Sequence, residues 1–580
     1  MLLQRLSEYT ERPGAPQALP RLYARQAIRY ILELDDEGRL LGPPIDTADA
    51  ASPASRRGTR RPAPLIQRAY AIKPLLLADN AEYTFGLARE GSRPDRVVAC
   101  HAAYMDLVRA CATASGEGAV SAVRQFLDGA GSSDLAPFAG IDRGALLTFR
   151  VEGQFVIDLP AVQLFWADYH DPAAHAAPVM ECLVCGRRRP VLQRLEGKVK
   201  GVPGGRSSGT SLISANAEAF ESYGQPASLG APTCVDCSER FTRAINELLA
   251  DPTTRVVLGG MAFVAWTREP VSFSFTTYLS QPTPELVTDL LRSLQRGGPV
   301  PPVDATAFYG LVLSGSGGRA VVRDWIDTTV GQAKVSLARW FERQRIVGPS
   351  GEEHRPLGLY ALAAATVREP RRDLSPVLPR ALLHAALTGG PLPWDVLYQA
   401  VRRNRAEQTV DRSRASLIKL VLVSQDPNHA EDTMVQQDVG HLSPAYHCGR
   451  LLAVLEEIQR AAMPGINATI VDRFFGTAST APASVFGRLV RGAQPHLSKL
   501  ERDRPGTYIA LQRRLEEVLA PLSAFPRTLT LQEQGLFALG YYHQRAADRA
   551  AARAAAERRR GEADASSVDP TVPEHEESLA

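Results

Sequence analysis

Two cysteine pairs of the form C-x-x-C constrain the fold of this chain more than any other feature. Cys182 and Cys185 lie in "CLVCG", and Cys234 and Cys237 lie in "CVDC". Four thiolates on two tight turns complete a tetrahedral shell with no open position, as in a structural zinc site. Four buried or redox-active thiols are the alternative, although the glycine after Cys185 favours metal. The sequence therefore predicts that zinc closes the insert 182–237.

The segment between the cysteine pairs is rich in glycine, serine and basic residues. Glycines let backbone amides approach a phosphate, and serine hydroxyls add hydrogen-bond donors. The residues predicted here to contact nucleic acid are Lys198, Lys200, Gly204, Gly205, Arg206, Ser207 and Ser208. Thr210 stands where a phosphate-binding G-x-x-x-x-G-K-S/T loop needs lysine, which excludes that nucleotide site. An ordinary flexible surface loop is the alternative to a working loop that the metal pins at its base.

Two further basic segments are candidate phosphate contacts. The first, "SRRGTRR", carries Arg56, Arg57, Arg60 and Arg61 within a predicted loop at 51–64, and mobile arginines suit phosphate or minor-groove contact. A solvated surface loop explains it equally well. The second is a predicted basic helical face that carries Arg402, Arg403, Arg405, Arg412 and Arg414, of which the first three are the predicted nucleic-acid contacts. Its alternative is a solvated face with Glu407 and Asp411 as ion-pair partners.

Apolar periodicity predicts an α+β fold with a helical second half. Strand-like runs occur at 27–42 around a D-E-G turn, at 145–168 before a helix, and at 254–267 and 306–323, with a helix at 98–130. From about Trp325, apolar residues recur every three or four positions. The predicted parts are a mixed α and β nucleic-acid-recognition region at 1–325, a helical region at 326–440, a C-terminal helical bundle at 441–560 and a disordered acidic tail at 561–580.

Composition and motifs exclude several classes of protein. Seven cysteines are too few for a disulfide framework and fit a reducing cytosol, so we expect a cytoplasmic protein. No apolar run is long enough to span a bilayer, and the N-terminus lacks a signal peptide, so no membrane partner is expected. His170, Asp171 and His175 leave open a stand-alone, zinc-dependent nucleic-acid-processing enzyme. No nucleophile elbow or dinucleotide fingerprint is present, which favours a binding protein without catalytic residues.

Several longer segments carry a family resemblance. They are "DNAEYTFGL" (79–87), "KVKGVPGGRSSGTSLISANAEAFESYG" (198–224), "RAVVRDW" (319–325), "NATIVDRFFGTASTAPASVFGRLVR" (467–491), "HLSKLE" (496–501) and "LQEQGLFALGYYHQR" (531–545). In this order, through nearly the whole chain, they resemble the large subunit of the type I-C CRISPR–Cas surveillance complex, Cascade. Asn80 and Asn216 lie within these segments and join the predicted nucleic-acid contacts. The two C-x-x-C pairs are not a fixed feature of that family.

The resemblance implies a non-catalytic subunit that binds target DNA guided by CRISPR RNA. Such a subunit recognises a protospacer-adjacent motif on double-stranded DNA, promotes duplex opening and R-loop formation, and helps recruit the helicase-nuclease. The implied partners are also the backbone and 5′-handle-binding subunits and the small subunits, which the C-terminal bundle resembles. The family's adjacent motif is T-rich. We therefore expect the loop Gly204–Gly209 to enter the minor groove, where the guanine amino group would clash with it.

Overall fold

The computed structural model describes residues 1–12, 19–49, 57–66, 68, 71–129, 138, 140–171, 177–195, 197–295, 302–352, 355–426 and 434–566. The chain divides into two compact units. Unit 1 contains residues 1–201, 205–247 and 316–320, and unit 2 contains residues 202–204, 248–315 and 321–580. The predicted functional limits near residues 325 and 440 stay predictions.

Unit 1 is built on a six-stranded sheet. Its strands are β1 (Tyr23–Leu34), β2 (Ile45–Asp46), β3 (Thr59–Pro64), β4 (Ala78–Asp79), β5 (Leu146–Val151) and β6 (Gln154–Phe155). β1 pairs antiparallel with β2 and β3 and parallel with β5, which also pairs antiparallel with β4 and β6. Ile28, Tyr30, Leu32 and Leu34 alternate along β1 and are buried, so one face of this strand supplies the core of the unit.

The sequence prediction for the strands of unit 1 is confirmed in one segment and wrong in another. The predicted hairpin at 27–42 forms, because Leu34 pairs with Leu40 around a turn in which Gly38 has φ of +76°. The predicted loop at 51–64 is wrong for residues 59–64, which form β3. Pro62 and Pro64 suggested a loop, but β3 lies at a sheet edge, where a residue without an N–H group is tolerated.

The helices of unit 1 are α1 (Leu2–Tyr9), α2 (Ala81–Phe85), α3 (Pro94–Ser115), α4 (Gly118–Gly129), α5 (Pro160–Tyr169) and α6 (Val235–Ala250), the last continuing beyond the unit. The helix predicted at 98–130 is two helices, since Gly116 ends α3 in the left-handed conformation with φ of +66°. A short antiparallel pair, β7 (Val179–Glu181) and β8 (Arg188–Pro190), begins the insert.

Unit 2 combines a four-stranded sheet with helices. The strands β9 (Arg255–Leu258), β10 (Met261–Thr267), β11 (Ala307–Ser316) and β12 (Arg319–Thr329) lie in the order β12-β11-β10-β9, which confirms the predicted strands. The helices are α7 (Phe275–Ser280), α8 (Pro284–Gln295), α9 (Pro302–Ala305), α10 (Val330–Gln344), α11 (Leu359–Ala364), α12 (Pro370–Asp373), α13 (Val377–Thr388), α14 (Trp394–Glu407), α15 (Arg412–Gln425), α16 (Pro444–Ala462), α17 (Ile470–Ala478), α18 (Phe486–Asp503), α19 (Pro505–Leu519) and α20 (Leu531–Ser566). The helical second half is therefore confirmed.

Helices α16 and α20 form the centre of the C-terminal helices and approach each other closely at two glycines. A Cβ atom on Gly449 of α16 would lie 1.9 Å from the Phe537 carbonyl oxygen, and one on Gly540 of α20 would lie 2.0 Å from the Tyr446 carbonyl oxygen. Beside this crossing, the fully buried Arg450 donates to Gln544 at 3.0 Å. The two helices therefore pack backbone against backbone, with a polar contact beside the crossing.

The acidic tail predicted at 561–580 begins within a helix, because α20 continues to Ser566. Residues 567–580 lie outside the described residues. Across the part of the chain that the structure describes, no helix combines the length and the apolar composition needed to cross a membrane.

The buried His543 on α20 should make folding sensitive to acid. Burial, followed by the charges of Lys419 and His441, lowers the pKa of His543 to about 3, against about 6.5 in an unfolded chain. Between these two values the unfolded state binds the extra proton, so stability is present above about pH 6.5 and falls as the pH decreases towards 3. From pH 7 to pH 5 we expect this residue to remove about 2 kcal/mol of unfolding free energy.

Urea unfolding at pH 7 and pH 5 measures this effect. In His543→Asn, whose amide oxygen can still accept from the Tyr446 hydroxyl that lies 2.9 Å from the imidazole Nδ1, the acid-induced loss should shrink by that amount. His101→Asn is the control, because His101 is part-buried in unit 1. Equal losses in the wild type and His543→Asn would contradict the assignment.

Candidate nucleic-acid interface and metal centre

The four predicted cysteine ligands come together in unit 1. Cys182 and Cys185 lie on the turn between β7 and β8, and Cys234 and Cys237 lie at the start of α6. Their Sγ atoms all lie within 4.8 Å of one another. The turn is closed by Gly186 N donating to Cys182 O at 2.8 Å, and Gly186 adopts φ of +66°, which explains the glycine that follows Cys185.

The arrangement of the four thiols fits a metal ion. Zinc–sulfur bonds of about 2.3 Å place tetrahedral sulfurs about 3.8 Å apart, which is compatible with four Sγ atoms that all lie within 4.8 Å of one another. Hydrogen bonding from Cys237 lowers the pKa of Cys234 to about 5, and the same contact raises the pKa of Cys237. The four cysteines could hold a metal ion, and their donor set is compatible with zinc.

Backbone contacts join the two cysteine turns. Leu183 N donates to Pro232 O at 2.9 Å, and Leu192 N donates to Thr233 O at 3.0 Å. Cys234 N donates to Cys182 Sγ at 3.4 Å, as backbone amides commonly do to metal-binding sulfurs. The two ends of the insert are therefore held side by side by the chain itself, which preorganises the four sulfurs.

The glycine-rich loop is a hairpin with an exposed tip. Val199 and Thr210 exchange two backbone hydrogen bonds of 2.8 Å at its base, and Gly209 N donates to Arg206 O at 2.9 Å to close a tight turn. Ser207 and Ser208 lie in the middle of this turn and are exposed, as is the Arg206 side chain. Gly209 is required here, because its φ is +102° and a Cβ atom would lie 2.8 Å from the Lys198 Cβ atom.

A side chain of α6 holds the base of the loop. Asn246 donates its side-chain amide to Lys198 O at 2.9 Å and accepts from Lys200 N at 2.8 Å. Along α6, Asn246 lies about 14 Å beyond Cys237 at 1.5 Å per residue. The direct contacts at the base of the loop therefore come from strand pairing and Asn246, and whether a metal ion at the cysteines also restrains the loop stays a prediction. Cysteines that flank a segment in sequence do not have to contact its base, which here is closed by strand pairing and a helix side chain.

The two lysines of the loop have different surroundings. Lys198 Nζ donates to Ser211 Oγ at 2.6 Å, and Ser211 also pairs through its backbone with Gly318 and Ala320, at 2.8 and 2.9 Å. Lys198 therefore braces the hairpin. Lys200 is exposed, and with Arg206 it is the more accessible cation for a ligand.

Gly204 and Gly205 precede the tip and have close backbone neighbours. Gly204 has φ of +75°, and a Cβ atom there would lie 3.1 Å from the Gly315 carbonyl oxygen within unit 2. Gly205 forms an isolated parallel bridge with Gly317 within unit 1. Further along the insert, Asn216 is exposed, and its Oδ1 accepts from Arg319 at 2.5 Å.

The arginines predicted at 56–61 do not act as one group. Arg61 pairs with Asp158 at 2.7 Å, and its guanidinium lies 3.5 Å from the centre of the Phe155 ring. Arg57 and Arg60 are exposed and make no ion pair among the described residues. Arg56 lies outside the described residues. The accessible cations of this segment are thus Arg57 and Arg60.

Other predicted contacts already have structural partners. Asn80 is the N-cap of α2, its Oδ1 accepting from Glu82 N and Tyr83 N at 3.1 and 3.3 Å. Arg403 pairs with Glu407 on α14, as in the alternative of a solvated face. Arg402 and Arg405 on the same helix are exposed. Whether these residues contact nucleic acid stays a prediction.

His170 and Asp171, two of the three residues predicted for the enzyme alternative, do not cluster with other metal-ligating side chains among the described residues. His170 packs edge-on against Trp166, with 4.3 Å between ring centres, and Asp171 follows the end of α5. His175 lies outside the described residues. Among the residues that the structure describes, the clustered metal-ligating side chains are the four cysteines.

A basic stripe on α18 escaped sequence reasoning. Arg488, Arg491, Lys499 and Arg502 are exposed, and at about 100° per residue their spacing puts them within one narrow arc of the helix. Arg488 also lies 4.9 Å from the centre of the Phe474 ring. The signal was available, since basic residues at i, i+3, i+11 and i+14 share a face once the helix is assigned.

Comparison with known proteins gives one family match. A family model described as CRISPR-associated protein (Cas_Csd1) matches residues 3–548, nearly the whole chain. A search of curated proteins gives no match.

Proposed function

The chain belongs to the CRISPR-associated Cas_Csd1 family, which makes it a subunit of a CRISPR effector complex, and from this premise we propose that it is the type I-C large subunit. In this role it recognises the protospacer-adjacent motif on double-stranded target DNA, opens the duplex and supports pairing with the CRISPR RNA. It also binds backbone, 5′-handle-binding and small subunits and helps recruit the helicase-nuclease. Its work is binding without catalysis, in the cytoplasm.

The hairpin at 199–210 is the single observation that carries this proposal. Its base is fixed by the Val199–Thr210 pairing and by Asn246, while Lys200 and Arg206 remain exposed. A narrow tip with exposed serine hydroxyls and a cation suits the minor groove, where A·T and G·C pairs differ mainly by the guanine amino group. Since base pairing with a guide supplies the long sequence match, the protein needs to read only a short motif.

Replacement of Lys200 and Arg206 by alanine should abolish most motif discrimination. The hairpin base does not use these side chains, so the fold should be kept while the groove contacts are lost. Each lost base contact is worth about 1–3 kcal/mol, or roughly 5- to 150-fold in affinity. Binding of the purified chain to labelled duplexes with a randomised motif, followed by sequencing of the bound fraction, measures the change in preference.

Two variants serve as comparisons for that experiment. Arg57→Ala with Arg60→Ala should lower affinity for all duplexes alike and reduce the slope of log affinity against log salt concentration, as expected for phosphate contacts. Arg292→Ala with Arg372→Ala removes two exposed arginines of unit 2 and controls for net charge. Motif preference that survives the loss of Lys200 and Arg206 would refute the role of the hairpin.

The basic stripe on α18 supports a second contact with DNA. The proposed large subunit holds the displaced single strand on its C-terminal helices, and Arg488, Arg491, Lys499 and Arg502 offer it exposed positive charges along one side of α18. The Arg402 and Arg405 side chains on α14 are further candidates. This assignment extends the proposed DNA interface beyond the residues found from the sequence.

The metal in this proposal is a structural zinc ion. Cys182, Cys185, Cys234 and Cys237 would fill its four coordination positions and leave none for a substrate. A stand-alone zinc-dependent nucleic-acid-processing enzyme would instead need an open position. Incubation of the purified chain with labelled DNA and RNA and divalent metal tests this alternative, since cleavage that depends on His170 and Asp171 would favour the enzyme.

A further inference from the structure

Tyr223 is presented to solvent by a tight turn within the insert of unit 1. Ser222 and Gln225 form an antiparallel bridge, with Gln225 N donating to Ser222 O at 3.0 Å. The two residues between them, Tyr223 and Gly224, have φ of +57° and +67°. Positive φ at both central positions defines a type I′ turn, which favours asparagine, aspartate and glycine at the first of them. Tyrosine in this place is an unfavourable choice for folding.

Side-chain packing does not offset this unfavourable backbone conformation of Tyr223. It is 95% exposed, the largest exposed fraction among the described tyrosines of the chain. The base of the turn, in contrast, is held firmly, since Glu221 Oε1 accepts from Ala227 N at 2.7 Å and Ser228 N donates to Gln193 O at 2.9 Å. An exposed aromatic ring on a braced but strained turn points to a role in binding.

A second exposed aromatic residue, Phe220, lies three positions before Tyr223 in the sequence, and a cation contacts its ring. Phe220 is 51% exposed, and the Arg319 guanidinium lies 4.0 Å from the centre of its ring. Arg319 donates to the neutral Asn216 amide, and no carboxylate pairs with it among the described residues. Its positive charge is therefore fixed in position but not neutralised by the protein.

Exposed rings next to a fixed guanidinium are characteristic of sites that bind unpaired bases. Every base offers a flat face for stacking, and the strand supplies phosphates for the cation. A pocket on another protein would call for an apolar rim around the ring. Apart from Phe220, the side chains that flank Tyr223 in sequence, Glu221, Ser222 and Gln225, are polar, so these flanking residues do not form an apolar rim, which favours a nucleic-acid strand.

We infer that Tyr223 and Phe220 stack on unpaired bases of a single nucleic-acid strand and that Arg319 contacts the adjacent phosphate. The inference rests on the proposed function, in which an opened duplex exposes such bases close to the subunit. It adds a stacking site for single strands to the hairpin that reads the duplex, with different residues and a different ligand.

The test compares the affinities of the purified chain for a single strand and for its duplex. Tyr223→Ala should weaken binding of a labelled single strand by about 5- to 150-fold, the range for loss of one base–aromatic stack, while duplex affinity stays unchanged. Tyr223→Phe keeps the ring and should keep the affinity. DNA and RNA strands of the same sequence form two arms, and the arm with the larger loss identifies the natural strand.

Tyr223→Asn separates binding from folding. Asparagine suits the first central position of a type I′ turn, so the melting temperature of the Tyr223→Asn variant should equal or exceed that of the wild type. The affinity of this variant for a single strand should fall as in Tyr223→Ala. Tyr360→Ala is the matched control, because Tyr360 is a half-exposed tyrosine on α11. A fluorescent 2-aminopurine base in the strand should be quenched by the wild type and by Tyr223→Phe but not by Tyr223→Asn.

Three outcomes would overturn the inference in distinguishable ways. Unchanged single-strand affinity in Tyr223→Ala and Phe220→Ala, with motif preference still lost on replacing Lys200 and Arg206, would remove the stacking site and leave the proposed function intact. If neither set of variants changes DNA binding, the proposed function falls as well. If Tyr223→Ala reduces recovery of other complex subunits and not DNA affinity, Tyr223 docks a protein.

Discussion

Replacement of Cys182 and Cys234 by serine should abolish binding of the proposed zinc ion and release one end of the insert. Structural zinc contributes on the order of 10 kcal/mol in small domains, and Cys182 is fully buried in the cluster. Unit 1 has its own apolar core, formed by residues that lie between Tyr23 and Trp166 and do not include the four cysteines of the cluster. We therefore expect local opening of β7, β8 and the start of α6, with β1 and β5 still folded.

Elemental analysis and hydrogen exchange measure the two parts of this prediction. The wild type should carry one zinc ion per chain, and the double variant should carry almost none. Cys100→Ser, which changes a buried cysteine outside the cluster, should keep the metal. A full equivalent of zinc in the double variant would refute the four-cysteine site.

Hydrogen exchange also tests whether the base of the loop at 199–210 is held by the metal or by strand pairing and Asn246. If the metal pinned the loop, its removal would expose the Val199 and Thr210 amides. Because these amides pair with each other and the loop is anchored by Asn246, we expect them to stay protected after chelation. Rapid exchange at both positions would favour the account that the sequence suggested.

Introduction of a side chain at the crossing of α16 and α20 should destabilise unit 2 severely. In Gly449→Ala the new Cβ atom would meet the Phe537 carbonyl oxygen at 1.9 Å and the Tyr541 amide nitrogen at 2.8 Å, and both are backbone atoms that cannot rotate away. Alanine favours a helix over glycine by about 1 kcal/mol, but overpacking typically costs about 1–3 kcal/mol and more against backbone. We expect a net loss of about 2–4 kcal/mol, measured by urea unfolding.

A helical glycine elsewhere in unit 2 supplies the matched control. Gly492 lies on α18, and a Cβ atom there would have no neighbour within 4 Å. Gly492→Ala should therefore raise the unfolding free energy by about 0.5–1 kcal/mol, from helix propensity alone. Equal stability of Gly449→Ala and Gly492→Ala would show that α16 and α20 do not pack as closely as the structure indicates.

Much of the fold was predictable because its signals are local. Strand β5 and the helices from Val330 onward follow periodicities of two and 3.6 residues, respectively, which a short sequence window reveals. Prolines misled the prediction only at β3, where an edge position tolerates them. The helix break at Gly116 was missed because a single glycine does not show its φ in the sequence.

The four candidate metal ligands were predictable from the sequence, but the residues that hold the neighbouring side chains and the loop in place were not. Cysteine spacing alone indicated the four sulfurs that the fold brings within 4.8 Å. The sequence did not indicate that Arg61 forms an ion pair with Asp158 or that Lys198 donates a hydrogen bond to Ser211. It also did not indicate that Asn246 holds the base of the loop by hydrogen bonds. Each of these pairs joins separate segments, and the distance between their partners depends on how the elements pack.

The sequence by itself determined the element types, the cysteine cluster and the glycine-rich loop, since each follows from residue type and spacing within a short stretch. Only the tertiary structure decided which cations stay exposed, what holds the loop, where Tyr223 points and how closely α16 and α20 approach. These depend on contacts between residues far apart in the chain, and those contacts are set by strand register and helix packing, which no local pattern encodes.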